Sequence, residues 1–147
     1  MLPLLHAFSC IHTDTQAIRQ DDQEKKHLSE SAQDYWDGVR WEVDDQSALF
    51  IEEDDRALFR SRVEEQRKGE RLVDVAVLKI DLQPPPESAA QGETWRTGTV
   101  LVKVEGYTLP AQIVRTEEIE QTWFRTPSGW FLQWDPDAPG PLTGSVE

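Results

Sequence analysis

The sequence predicts an α+β domain in which three N-terminal helices pack on an antiparallel sheet. In the first half of the chain, apolar residues recur at the three- and four-residue spacing of helices. The second half is rich in Val, Ile and Leu, and Pro and Gly divide it into segments of strand length. The 147 residues are enough for one domain, which we assign to residues 32–135.

The helices are predicted from apolar spacing and from residues that begin or end helices. The first helix carries an apolar stripe formed by Tyr35, Trp36, Val39 and Val43. Asp44 or Asp45 can cap a short second helix. Asp54 or Asp55 can cap a third helix that runs to Lys68, after which a glycine supplies a left-handed stop.

Four strands are predicted to follow. Arg71–Leu82 is apolar on both faces, as expected of a strand that is covered on both sides. Gln83–Glu93 contains three prolines and a glycine and is therefore a long loop. Thr94–Tyr107 alternates apolar and polar residues, Gln112–Thr126 is a long strand, and Trp130–Asp135 closes the sheet.

The turn of the last hairpin sets which residues face the helices. Thr126–Gly129 has Pro at its second position and Gly at its fourth, which favours a three-residue loop with a glycine bulge. That loop pairs Phe124 with Leu132. A two-residue loop would instead pair Trp123 with Leu132, because a slip of one residue moves every side chain to the other face.

On the favoured register, Trp123, Arg125 and Phe131 lie on the sheet face that points away from the helices. Aromatic residues and Arg are enriched at the cores of protein interfaces. The sequence therefore predicts that this outer face binds a protein partner or forms a homodimer.

Two short motifs resemble a known superfamily. Ser128–Leu132, with the sequence SGWFL, looks like the ending of the last strand in nuclear transport factor 2-like domains. Tyr35 and Trp36 match aromatic positions in their first helix. The resemblance implies a cone with a curved sheet, a pocket between helices and sheet, and in many members a dimer through the outer sheet face. It does not imply an activity, because one fold hosts many functions.

Histidine is missing from the predicted domain. His6, His12 and His27 all precede residue 32, so the domain offers no His–Asp dyad, Ser–His–Asp triad or histidine-based metal site. We therefore expect non-catalytic binding, with no cofactor and no metal.

A pocket that binds or converts a small molecule is the alternative. Tyr35, Trp36 and Trp130 would line it, although aromatics at this spacing are more often core. If Asp74 points inward, burial would raise its pKa and make it a usable acid; otherwise it is exposed or paired with an arginine.

An isomerase-type site is a further version of this alternative. The resemblance places Tyr35 as an oxyanion donor and Glu53 or Asp54 as a base. The same acidic run is also explained as a cluster at a helix N-terminus, where the helix dipole favours negative charge.

The net charge of −13 excludes nucleic acid as a favoured partner, because an anionic surface repels phosphate. Cys10 is the only cysteine, and it follows a short apolar run, MLPLLHAFS, that resembles the end of a bacterial lipoprotein signal. The run is short and no Lys or Arg precedes it. A lipid on Cys10 would anchor the protein to a membrane of the cell envelope; without it we expect a cytoplasmic protein.

The two ends of the chain are predicted to lie outside the packed domain. Residues 1–10 would be the remnant of that signal, and residues 11–31 are strongly polar, as in a linker or a loosely docked helix. Residues 136–147 have no core-forming pattern and are expected to be a flexible tail.

Overall fold

The computed structural model describes residues 11–84 and 96–142. Its helices are α1 (Ile11–Arg40), α2 (Asp44–Ala48) and α3 (Arg56–Arg67), and a turn of 3₁₀ helix (Glu53–Asp55) precedes α3. The helices pack on a four-stranded antiparallel sheet, so the predicted α+β class is confirmed.

The sheet is a meander with the order β1-β2-β3-β4. Its strands are β1 (Glu70–Leu82), β2 (Arg96–Thr108), β3 (Ile113–Thr126) and β4 (Gly129–Leu132). Each β3 residue on the helix side lies opposite a β2 residue on the same side, as Ile119 lies opposite Val102. Period-two alternation of this kind gives the sheet one apolar face, which the helices cover.

The core lies between α1 and the helix side of the sheet. α1 contributes a stripe of buried residues and the sheet contributes valines together with the aromatic and aliphatic side chains of the last hairpin. The buried members from the two layers are Leu28, Ala32, Tyr35, Trp36, Val75, Val100, Val102, Val104, Trp123, Trp130 and Leu132.

α1 is longer than the predicted first helix. The polar residues after Ile11 continue into the helix without a break, and Leu28 is fully buried although it lies in the predicted linker. Two arginines of the sheet hold this polar part of the helix: Arg96 Nη1 lies 2.9 Å from Asp21 Oδ1, and Arg125 Nε lies 3.2 Å from Glu24 Oε2. A charged helix face can thus dock through ion pairs where few apolar residues are present.

Close packing of α2 on α1 depends on a glycine. A Cβ on Gly38 would overlap Ser47, whose hydroxyl donates a hydrogen bond of 2.9 Å to the Tyr35 carbonyl. The predicted aspartate caps are not formed, since neither α2 nor α3 has a side-chain hydrogen bond at its N-cap. Asp44 instead accepts hydrogen bonds from Arg67 and so joins α2 to α3.

The register of the last hairpin corrects the favoured prediction. Thr126 pairs with Gly129, and Trp123 pairs with Leu132, which is the two-residue-loop alternative. The Thr126 hydroxyl supports the short loop by accepting from the Ser128 N–H and donating to the Gly129 carbonyl. The physical reason lies in burial, because this register turns Trp123, Trp130 and Leu132 toward the helices.

The first strand also differs from its prediction, since only one of its faces is covered. Its register against β2 shifts between Leu72 and Asp74 and again between Val77 and Lys79. Val73 and Leu78 lie at these two bulges and are both exposed. The strand reads as apolar on both faces because the two bulges interrupt the alternation of inward and outward residues, and not because both of its faces are buried.

Candidate functional site

An open cavity of about 630 Å³ lies between α1, α3 and the helix side of β3 and β4. Two edge-to-face contacts and one tilted contact connect aromatic residues along its wall. The ring centroids of Trp36 and Tyr35 are 5.4 Å apart, those of Tyr35 and Phe59 are 6.1 Å apart, and those of Phe59 and Trp134 are 5.6 Å apart. These rings come from α1, α3 and the segment after β4, and their contacts hold the wall in one geometry.

Three residues with amide side chains are among the polar residues of the lining. Gln121 accepts a hydrogen bond of 2.9 Å from the Trp36 indole, and Gln66 and Gln133 line the same space. A carboxamide carries both a donor and an acceptor, so these groups can bind polar atoms of either kind without carrying charge.

Charged side chains line the cavity only where they are also exposed to solvent. Arg62 and Asp135 belong to this exposed margin, whereas Glu120 lies between Ile119 and Gln121 on β3 and so directs its side chain to the outer face of the sheet. Deeper in the cavity wall, burial raises the pKa of the Tyr35 phenol well above its usual range. Tyr35 is therefore a neutral hydrogen-bonding group at physiological pH, and the inner wall is uncharged.

The chain beyond β4 closes one side of the cavity. The residues that contribute are Asp135, Pro136, Ala138, Pro139 and Pro141. The sequence predicted a flexible tail from residue 136, but the structure packs this segment as far as Leu142, which is 0% exposed. Periodicity could not find it, because a segment of turns and irregular chain has no repeating apolar pattern.

The structure brings together only part of the predicted pocket. Tyr35 and Trp36 line the cavity, whereas Trp130 is buried in the core beside it and does not line it. Asp74 lies opposite Glu105 on the outer face of the sheet, and its side chain is 66% exposed. Of the two positions left open for Asp74, the structure shows the exposed one with an arginine partner: a bulge turns the side chain outward, and its partner is Arg40 at 3.5 Å.

The isomerase-type arrangement is not assembled either. Glu53 and Asp54 lie in the 3₁₀ turn before α3, where both are exposed. Neither residue lines the cavity into which Tyr35 faces. The acidic run is thus placed at the start of a helix, in agreement with the electrostatic explanation.

The predicted interface residues are divided between the two faces of the sheet. Trp123 is 0% exposed and Arg125 pairs with Glu24, so both lie on the helix side, which corrects their expected position. The cause is the two-residue loop described above. Phe131 alone lies on the outer face, where its ring stacks on Phe124 with 6.0 Å between centroids.

Metal sites and membrane-spanning helices are both absent from the described part of the chain. Within residues 11–84 and 96–142, no cluster of His, Cys, Asp and Glu has the arrangement of a metal site. The same ranges contain no helix with the length and apolar character needed to cross a membrane. Cys10, the predicted lipidation site, lies outside the described residues.

Comparisons of this chain with protein-family models, with curated proteins and with solved structures give no match. The geometry of the cavity and of the sheet is therefore the basis for a proposed function.

Proposed function

We propose that this protein binds a small, neutral, ring-bearing molecule in the cavity between its helices and its sheet. The observation that carries the proposal is the connected aromatic wall formed by Trp36, Tyr35, Phe59 and Trp134 beside uncharged amide groups. The volume of about 630 Å³ falls within the range of about 300–1,000 Å³ that is typical of ligand pockets.

The chemistry of the lining favours neutral ligands over ions. Moving a charge from water into an uncharged wall costs several kcal/mol unless a partner ion is present. The amides of Gln66, Gln121 and Gln133 can satisfy carbonyl, hydroxyl or amide groups of a ligand, while the rings pack on its flat faces. An aromatic molecule with one or two uncharged polar groups fits both requirements.

Binding is favoured over catalysis because the candidate acids and bases lie elsewhere. Asp74 is on the opposite face of the sheet, and Glu53 and Asp54 are exposed in the 3₁₀ turn. Tyr35 is the titratable group that faces the cavity from the core, and burial favours its neutral form. Its role in the proposal is that of a hydrogen-bonding group.

The test uses the neutral fluorescent amine N-phenyl-1-naphthylamine as a probe. We expect its fluorescence to rise on binding, and we expect Trp134→Ala to weaken the affinity about tenfold, because one ring of the wall is lost. Trp41→Ala is the matched control, since Trp41 is exposed, stacks with Arg40 and does not line the cavity.

Two results would contradict the proposal. One is a wild-type protein that binds neither the probe nor any compound of a neutral aromatic library. The other is an equal loss of affinity in both tryptophan variants, which would place the probe on the surface. Circular dichroism of each variant checks that the fold is retained.

A second candidate function is self-association through the outer sheet face. It is supported by the stacked rings of Phe124 and Phe131 on that face. The test is sedimentation equilibrium of Phe131→Ser beside the wild type. A wild-type dimer that dissociates in the Phe131→Ser variant would support the candidate. A wild type that is monomeric at about millimolar concentration, and in 100-fold dilutions from it, would reject the candidate, because interfaces weaker than that are transient.

Lipid attachment at Cys10 remains a prediction of the sequence. An intact mass that carries a diacyl or triacyl group, measured on protein produced in a bacterial host, would place the domain in the cell envelope. An unmodified mass would leave the protein in the cytoplasm.

A further inference from the structure

The segment that follows β4 is fastened to the domain at its far end. Leu142 is fully buried in the core, and its backbone N–H donates a hydrogen bond of 2.9 Å to Glu70 Oε2. Two glycines make room for this contact. A Cβ on Gly106 would lie 2.6 Å from Leu142 Cδ1, and a Cβ on Gly140 would lie 2.5 Å from Glu70 Oε1.

The middle of the segment has a different character. Its three prolines have no N–H to donate, and the N–H groups of Asp137 and Ala138 donate to Asp135 within the segment itself. At the start of the segment, the Gln133 N–H donates a hydrogen bond of 2.9 Å to the Thr122 carbonyl. The buried residues of the segment, Gly140 and Leu142, both lie against Glu70, so the segment can detach there without breaking the strand pairing of the sheet.

We propose that residues 135–142 form a strap that opens and closes over the cavity, and that the contact of Leu142 with Glu70 is its latch. The strap contributes a wall of the cavity, so its release would widen the route to solvent. A role of the strap in ligand entry rests on the proposed function. The opening of the strap itself can be measured in the protein without a ligand.

The latch is expected to depend on pH. Burial raises the pKa of the Glu70 carboxyl above its usual range, and the hydrogen bond from the Leu142 N–H lowers it in part. Opening the strap would return Glu70 to water, so the closed form holds the proton more tightly than the open form. Closing is therefore favoured at low pH, and this advantage is lost as the pH rises through the pKa of the closed form.

The charged groups around Glu70 do not reverse this direction. A small cavity beside Glu70 is lined from α1 and the turn after it, from α3, from β1 and from the strap. The charged members of its lining are Arg40, Glu42, Arg67 and Arg71. The strap contributes Pro141 there, and the β2 residue opposite Glu70 is Thr108, so neither adds a charge. Glu42 is the other carboxylate of this lining and therefore the one to control for.

The first experiment measures hydrogen exchange by NMR at the amide of residue 142 and at that of Val102 in the central strand. Wild-type protein should exchange at residue 142 at least about tenfold faster than at Val102, after correction for intrinsic rates. Leu142→Ala should speed exchange at residue 142 by about thirtyfold, or up to the unprotected rate, as expected from loss of a buried leucine.

Leu28→Ala is the matched control, because Leu28 is equally buried but lies against Gly98 at the other end of β2. It should speed exchange at Val102 and leave residue 142 unchanged. If residue 142 and Val102 exchange at the same rate in the wild type, and Leu28→Ala speeds both alike, the segment opens only with the whole domain and the strap is refuted.

The second experiment repeats the exchange at pH 5 and pH 8 with Glu70→Gln. In the wild type, the corrected opening equilibrium at residue 142 should be at least about threefold smaller at pH 5 than at pH 8. Glu70→Gln should remove this dependence and keep the strap closed at pH 8, while Glu42→Gln should retain it. Equal dependence in wild type and Glu70→Gln would refute the role of Glu70.

The link to ligand entry is tested by stopped-flow mixing with N-phenyl-1-naphthylamine. Leu142→Ala should raise the association rate at least about threefold over that of Leu28→Ala. A probe that does not bind the wild type counts against the proposed function, whereas the exchange data decide on the strap without any ligand. Binding with equal association rates in both variants would refute control of entry by the strap.

Discussion

Replacement of Glu24 by Gln should destabilise the protein, because Glu24 neutralises an arginine that is held between the helix and the sheet. The two side chains of the Glu24–Arg125 pair are 15% and 17% exposed, and Arg96 lies directly opposite Arg125 in the register of the sheet. Loss of one partner of a buried pair costs about 3–5 kcal/mol, and loss of a surface pair costs about 0–1 kcal/mol. For this partly buried pair, with an amide that still accepts a hydrogen bond, we expect about 2 kcal/mol.

The assay is urea unfolding followed by tryptophan fluorescence, with thermal unfolding in parallel. A loss of about 2 kcal/mol should lower the melting temperature by about 4–8 °C in a domain of this size. Glu30→Gln is the matched control on the same helix, since Glu30 is 61% exposed and lies 3.9 Å from Lys26. Its cost should stay below about 0.5 kcal/mol. If the two variants lose the same free energy of unfolding, the ion pair with Arg125 does not fasten α1 to the sheet.

The remaining predictions concern buried tryptophans. The indole nitrogen of Trp123 is buried and has no hydrogen-bond partner among the described residues. Trp123→Phe should therefore change the free energy of unfolding by less than about 1 kcal/mol. The stability gained by removing an unsatisfied buried donor offsets the stability lost with the smaller side chain. Trp36→Phe should cost more in the same urea titration, since it leaves the Gln121 acceptor without its indole donor. Trp123→Ala should cost about 3–5 kcal/mol, and a variant that keeps wild-type stability would contradict its place in the core.

The helices and strands could be predicted from sequence because their patterns are local. The stripe that begins at Tyr35 predicted a buried helix face, and the alternation before Tyr107 predicted a half-buried strand. Both signals repeat several times within one element, so a single exception does not hide them. The predicted bounds of these strands differ from the observed ones by a few residues at most, as is usual at frayed ends.

The packing of the chain ends could not be predicted, since it depends on distant partners. The polar first half of α1 docks through two carboxylates whose partners, Arg96 and Arg125, lie at least 75 residues away in sequence. The strap packs through Leu142, whose partner Glu70 lies 72 residues away. Neither segment has a periodic signal, so composition alone suggested a linker and a flexible tail.

The position of Asp74 was left open by the sequence for a different reason. Its neighbours in sequence are apolar on both sides, which allowed a buried position beside the exposed one. A β-bulge between Leu72 and Asp74 shifts the alternation by one residue and turns the carboxylate to the outer face. A bulge leaves no clear signal in a single sequence, so the choice between the two positions depends on the register of the strand.

The turn at Pro127 and Ser128 determines which kind of function the last hairpin can support. With a three-residue loop, Trp123 and Arg125 would face outward and form the centre of a binding surface. With the observed two-residue loop, they face the helices, where Trp123 completes the core and Arg125 binds α1. The same slip leaves the outer face with only the stacked Phe124 and Phe131 as its aromatic residues in this hairpin. The outer face thereby loses most of its predicted binding surface, whereas the aromatic wall of the cavity, which ends in the contact of Phe59 with Trp134, is intact.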